Sequence, residues 1–215
     1  GVALSTKSTV DEPFGKTRRS TAACELTILR TVSSVLLAFG YWPKRAAMRR
    51  RAEEIIGESS TNHKERIDWL TKSGPITGAG KIALADSWRA IGEPEKALEA
   101  VRDAWHNNSL ERSVERDVLS TYGKQLTQED HRARVEFLLW TNQRTAASNL
   151  KYLLTSDYRK LVDARIALAA RARNVDALVN AVPEHLQDNP GLLYERAKWR
   201  RQKLRNQDVA TPLLA

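Results

Sequence analysis

The residues that could do chemistry in this chain are few and scattered. A general acid–base pair needs two carboxyls brought together in a cleft with their pKa values driven apart. The adjacent pairs Glu53-Glu54 and Glu129-Asp130 do not qualify, because neighbours on a helix point in different directions. Glu129-Asp130 also sits where a helix begins, and negative charge is favoured there for structural reasons. The four histidines, His63, His106, His131 and His185, are far apart, and no two share a helix at i, i+4, so a metal site would need tertiary convergence. There is no serine in a Gly-x-Ser-x-Gly elbow. Gly74, Gly78 and Gly80 lack the spacing of a phosphate-binding loop and its following Lys-Ser or Lys-Thr. Gly78-Ala79-Gly80-Lys81 reads instead as a helix start whose free N–H groups could take an anion. No catalytic, cofactor-binding or metal-ligating residue emerges, and no cofactor is implied.

Basic clusters carry more information. Lys44, Arg45, Arg49, Arg50 and Arg51 crowd one short helix, and Arg196, Lys198, Arg200, Arg201, Lys203 and Arg205 crowd another around Trp199. One reading makes them solvated faces whose long stems cover apolar neighbours. The other makes them a positive rim for an anionic polymer, with the flat indole of Trp199 as a stacking platform or, equally, as a packing knob. The formal net charge of +9 and the pI near 9.8 favour polyanions such as nucleic acid, anionic lipid or a carboxylate-bearing cell-wall polymer.

The elements that must position these residues are helical. Hydrophobic residues are 41% and charged residues 28% of the 215, enough apolar material for a core. No strand-like alternation is sustained. Residues 1–19 read as a flexible arm, and residues 20–215 as a succession of about eleven helices. The clearest hairpin lies between Lys81 and Asn107: Leu84, Ala85, Trp88 and Ile91 share a face, Gly92 ends the helix, and Pro94 opens the next. Ala85, Trp88, Ala97, Val101 and Ala104 fall at the spacing of a tetratricopeptide hairpin. Thr127 with Asp130 is a capping-box variant, and Asn189-Pro190 starts the Trp199 helix. Trp88, Trp105 and Trp140 are expected in the core. The architecture expected is all-α, a superhelical array of stacked hairpins cut in mid-repeat at its C-terminus. Leu26–Phe39, the most apolar stretch, is broken by Arg30 and is no membrane span. The single cysteine, Cys24, allows no intramolecular disulfide.

Several segments, in this order, resemble the helical, non-catalytic region of soluble lytic murein transglycosylases of the alpha-proteobacterial type. They are Trp42-Pro43 with Arg49-Arg50-Arg51-Ala52-Glu53, Ile76-Thr77-Gly78-Ala79-Gly80-Lys81, Asp130 to Trp140, Asp163-Ala164-Arg165-Ile166-Ala167-Leu168, and Asn189 to Arg201. The resemblance runs from about Leu36 to the C-terminus. It implies a superhelix curved around a separate lytic domain, a peptidoglycan partner and a periplasmic location. It also implies that the cutting machinery is missing from this chain. The family's catalytic glutamate stands in Glu-Ser, followed by a Gly-Leu-Met-Gln box. Glu58-Ser59 is the one Glu-Ser pair, and with Met48 the only methionine no such box follows. Glu58 is read as part of a solvated turn and the chain alone as catalytically silent.

On that resemblance Arg49, Arg50, Trp199, Arg200 and Arg201 become candidate glycan contacts, and the partner is a peptidoglycan strand or a lytic domain. The alternative is a stand-alone α-solenoid scaffold that binds a protein in a larger assembly. Nucleic-acid binding is the least supported reading, since no recognisable module and no interleaved exposed aromatics are present.

Overall fold

In the computed structural model, residues 42–59 and 62–210 are described; the arm at 1–19, the helix expected from Thr21 and the last five residues lie outside them. The side chains of Lys44, Arg45 and Arg205 are also outside the described set. The protein is all-α, with ten α-helices and no strand among the described residues. The chain divides into two compact units, Gly1–Thr61 and Asn62–Ala215.

The first unit contributes α1 (Trp42–Glu58). Glu53 on this helix is fully buried and receives Arg49 in an i, i+4 ion pair at 2.9 Å. Glu58 is the last residue of α1 rather than part of a turn. The helix runs on to it because the Ser59 hydroxyl donates to the Ile56 carbonyl at 2.9 Å, satisfying one of the acceptors a helix end leaves open.

The second unit holds the remaining nine described helices. They are α2 (His63–Ser73), α3 (Gly78–Ala90), α4 (Pro94–Asn107), α5 (Arg112–Tyr122), α6 (Gln128–Trp140), α7 (Arg144–Leu150), α8 (Ser156–Ala170), α9 (Val175–Asn180) and α10 (Pro190–Ala210). The sequence signals act as expected at two starts. Thr127 and Asp130 form a complete capping box on α6, and the Asn189 carboxamide oxygen accepts from the Leu192 N–H at 3.1 Å at the start of α10.

Three pairs, α3–α4, α6–α7 and α8–α9, close through one and the same turn. At its centre stands a left-handed residue: Gly92, Asn142 or Arg171, with φ of 85°, 61° and 56°. The next N–H reaches back five residues, Glu93 to the Trp88 carbonyl, Gln143 to Leu138 and Ala172 to Ala167. The left-handed N–H itself binds three residues back, to Arg89, Leu139 and Leu168. This is the Schellman motif, used three times. Only the first copy carries the glycine that announces it. Across the first pair, fully buried Ala85 faces the core with Ala97, Val101 and Ala104, so small side chains let α3 and α4 approach closely.

Two apolar clusters result. One runs from α3 to α8 around Trp105, Val135 and Leu138; the other gathers α8, α9 and the start of α10 around Leu161, Leu168, Val179 and Leu192. Helix α8 serves both, with Val162 in the first cluster and Leu161, Ala164, Ala167 and Leu168 in the second. A helix with apolar residues on most of its circumference belongs inside. Trp105 is fully buried and Trp88 half-buried, but Trp140 is 53% exposed, against expectation. It stands at the last turn of α6, beyond the stripe formed by Val135 and Leu138.

Two arginines lie within this apolar interior. Arg134 is 1% exposed and stacks over the Trp105 ring, 4.9 Å from its centroid. Its guanidinium donates to the carbonyls of Trp105 and Asn108 at the end of α4 and to the Glu115 carboxylate on α5. Arg165 repeats the arrangement one helix on, with Glu136 at 2.6 Å and the Trp140 ring at 5.5 Å. It lies flat against Gly191, where a Cβ would come within 2.2 Å of the guanidinium, so only glycine fits under it. Breaking a buried ion pair by removing one partner costs about 3–5 kcal/mol. Arg134→Ala should therefore lower the urea unfolding free energy by about that amount, and Arg134→Met with Glu115→Leu should recover much of it. At the first turn a Cβ on Gly92 would meet nothing within 4 Å, so Gly92→Ala tests backbone strain alone. It should cost about 1–2 kcal/mol in the same measurement.

Candidate functional site

The densest polar grouping centres on Asp130. Its carboxylate accepts from the Thr127 N–H at 2.7 Å and the Thr127 hydroxyl at 2.9 Å, from Arg102 at 3.3 Å, and lies 2.9 Å from His106 Nε2. Burial alone would raise this carboxyl; the bonds from Thr127, the charge of Arg102 and the hydrogen bond with His106 outweigh it and hold the pKa below 3.8. The hydroxyl and the imidazole both bind the carboxylate, one on each oxygen. A nucleophile would need its hydroxyl on the imidazole instead. The grouping therefore fastens α4 to the first turn of α6, and the structural reading of Glu129-Asp130 is the one that fits.

Next to it, His131 is buried beneath the edge of Trp105, with ring centroids 6.3 Å apart and Nδ1 without a hydrogen-bond partner. Burial holds its pKa below 6.5, with the Asp130 charge pulling the other way. Among the described residues, no three His, Cys, Asp or Glu side chains converge as a metal-binding group. The start of α3 is occupied too. Gly78 packs against Leu110 and the Ser109 carbonyl, the Thr77 hydroxyl caps Gly80, and Lys81 is neutralised by Asp103 at 2.7 Å. At Gly78-Ala79-Gly80-Lys81 the Gly80 N–H and the Lys81 ammonium, two of the groups an anion would use, are thus already engaged.

A different grouping forms where α10 crosses α8 and α9. Leu192 on α10 is fully buried in the second cluster, and one further face of the helix, carrying Arg196, Trp199 and Gln202, turns toward the same side. Trp199 stands half-buried between two recesses. The larger, about 280 Å³, has an apolar floor of Leu168, Val175 and Val179 and a rim of Asp176, Asn180, Arg196 and Arg200. The smaller, about 160 Å³, is lined by Arg171, Gln202 and Lys203, with the Lys203 ammonium 5.0 Å from the indole centroid. Arg171, Arg196 and Arg200 form no ion pair with any described carboxylate. The indole supplies a flat apolar wall and four cations surround it, with the Asp176 carboxylate as the one acid. Such an arrangement can hold an anion against a stacked ring; it offers no paired acid and base.

Of the sequence candidates, Trp199 and Arg200 come together here. Arg201, two residues beyond Trp199, is exposed and lines neither recess. Arg49 is held by Glu53, and Arg50 is exposed on α1 with Nε 3.4 Å from the Ala46 carbonyl. Arg171, Asp176 and Asn180 escaped notice because they belong to the α8–α9 turn and the short α9, remote in sequence from the arginine-rich helix. Comparison with protein-family models, curated proteins and solved structures finds nothing that matches this chain.

The titrations give a test of the interior. A histidine with a depressed pKa contributes stability above its unfolded value of 6.5 that is lost as the pH falls. Asp130, depressed from 3.8, adds a second loss at lower pH. A melting-temperature profile should therefore decline below about pH 6.5 and again below about pH 4. His131→Phe, which keeps the ring against Trp105, should flatten the first decline and leave the second.

Proposed function

We propose that this chain is a non-catalytic binding array, tetratricopeptide-like and superhelical, that holds a carboxylate-bearing peptidoglycan strand, in keeping with its resemblance to the helical region of lytic transglycosylases. The observation that carries the reading is Trp199 standing between two recesses edged by Arg171, Arg196, Arg200 and Lys203. A sugar ring stacks on the indole, as an aromatic face favours. A muramyl carboxylate meets the guanidinium groups, where charge-assisted hydrogen bonds are strongest. The 280 Å³ recess is at the lower end of small-molecule sites, roughly 300–1,000 Å³. It suits one unit of a chain passing through rather than an enclosed ligand. The three Schellman-closed pairs support the repeat architecture, since each pair has a face its neighbour must cover. In this reading the protein acts in the periplasm beside a lytic domain. The observation favouring a second reading, a scaffold for a protein partner, is the exposed pair Trp140 and Tyr194, with centroids 5.3 Å apart.

The test is calorimetric titration with a soluble glycan tetramer of alternating N-acetylglucosamine and N-acetylmuramic acid, set beside chitotetraose, which lacks the carboxylates. The muramyl tetramer should bind more tightly by tenfold or more. Arg196→Gln with Arg200→Gln should lose about tenfold or more, since each charged hydrogen bond contributes about 1.5–3 kcal/mol. The melting temperature should hold. Equal binding of both glycans, or an unaffected double variant, would sink the glycan reading.

A further inference from the structure

We infer that the outward face of α10 is a docking surface for an acidic amphipathic helix. This face borders the larger Trp199 recess at Arg200 and stands whether or not the recesses bind glycan. Leu193 is 46% exposed, Tyr194 51% and Leu204 61%, and Ala197 is exposed between them. Leu193, Ala197, Arg200 and Leu204 follow at i, i+4, i+7 and i+11, so one stripe of the helix carries the exposed Arg200 between its apolar residues. Trp140, 53% exposed, extends the stripe sideways through its contact with Tyr194. Trp140, Tyr194 and Leu193 leave two aromatic rings and a leucine close together in water, and exposed apolar surface of this kind marks interaction sites.

The form of the stripe indicates a helical occupant. Small Ala197 lies between the larger Leu193 and Arg200, a low point against which the ridge of a second helix fits with an acid opposite the arginine. The same device works inside the protein, where Ala85 and Ala97 let α3 and α4 approach. Trp and Tyr are also the residue types that dominate binding energy at interfaces.

Charge specifies the rest. Between Pro190 and Leu204, α10 carries five cations, Arg196, Lys198, Arg200, Arg201 and Lys203, against one carboxylate, Glu195. Glu195 is 14% exposed and lies 3.9 Å from Lys198. Lys198, over the Tyr194 ring at 5.6 Å, and exposed Arg201 flank the apolar stripe. A partner helix with leucines on one side and Asp or Glu along its edges complements this pattern, while like charges placed opposite are costly. A second copy of this chain brings the same cations to the same face and carries a net +9 itself, so self-pairing is disfavoured.

The experiment uses two fluorescein-labelled peptides of about 18 residues, five helical turns. Both carry one leucine stripe; one has glutamate at the remaining positions and the other lysine. By fluorescence anisotropy at moderate salt, the glutamate helix should bind the full chain at least tenfold more tightly than the lysine helix. Leu193→Glu and Leu204→Glu, both at exposed positions, should each weaken it at least tenfold, with helix content and melting temperature kept. Binding of the muramyl tetramer should stay unchanged in Leu193→Glu, which separates the apolar end of this face from the recesses. The inference is overturned if both peptides bind alike. It is also overturned if the glutamate peptide is insensitive to both variants and lost only with added salt. Sedimentation of the chain as a dimer that Leu193→Glu dissociates would assign the face to a second copy and overturn it as well.

Discussion

A guanidinium deprived of water has to find its partners within the protein, and Arg134 organises the second unit through the bonds of its two terminal nitrogens, its Nε alone being left without one. It takes up carbonyls that the end of α4 would otherwise leave open, neutralises Glu115 on α5, and rests on the ring of Trp105. Three helices are thereby fixed around a side chain projecting from α6. The desolvation cost of such a charge is offset only by a close ion pair with further hydrogen bonds around it. The position of Trp105 in the core, the path of the 108–111 connection and the start of α5 all follow from that requirement. Arg165 imposes the same requirement further along, where Glu136, Trp140 and the bare backbone of Gly191 meet it.

The balance of charge on the surface follows from these commitments. Asp103, Asp130, Glu115, Glu136 and Asp163 each sit in an ion pair inside the second unit, and Glu53 does so within α1. Carboxylates are used to fasten one helix to another. Many of the arginines and lysines of α10 and of the α8–α9 turn have no such duty. Among the described residues, several acids thus serve as joints between helices, while the cations around Trp199 and along α10 form few ion pairs.

That division explains what could be read from the sequence. Capping by Thr127 and Asp130, the start of α10 at Asn189-Pro190 and the turn at Gly92 were legible because each depends on residues adjacent in the chain. The turns at Asn142 and Arg171 were not, since neither residue signals a left-handed conformation as glycine does. Nothing local marks Arg134 and Arg165 for the interior, since their burial depends on glutamates 19 and 29 residues away. Trp140 looked like core because it stands beside the stripe of Val135, Leu138 and Leu139, yet its place at the end of α6 leaves it in solvent. At the candidate site, Trp199 and Arg200 were legible from local composition. Arg171, Asp176 and Asn180 join them only through the crossing of α10 over α8 and α9. Arg201 was grouped with them by sequence proximity, but a helix turns it away.

The two apolar clusters share α8, and this has a mechanical consequence. If tension were applied to the C-terminal end of the chain, α10 and α9 could peel away while α8 remained gripped through Val162 by the cluster on its other side. Detachment would halt there until the larger cluster yielded. Helix α8 therefore acts as a ratchet tooth between a segment that can be pulled loose and restored and a segment whose loss dismantles the fold. A protein that holds a long polymer under load through α10 would be protected by that intermediate stop.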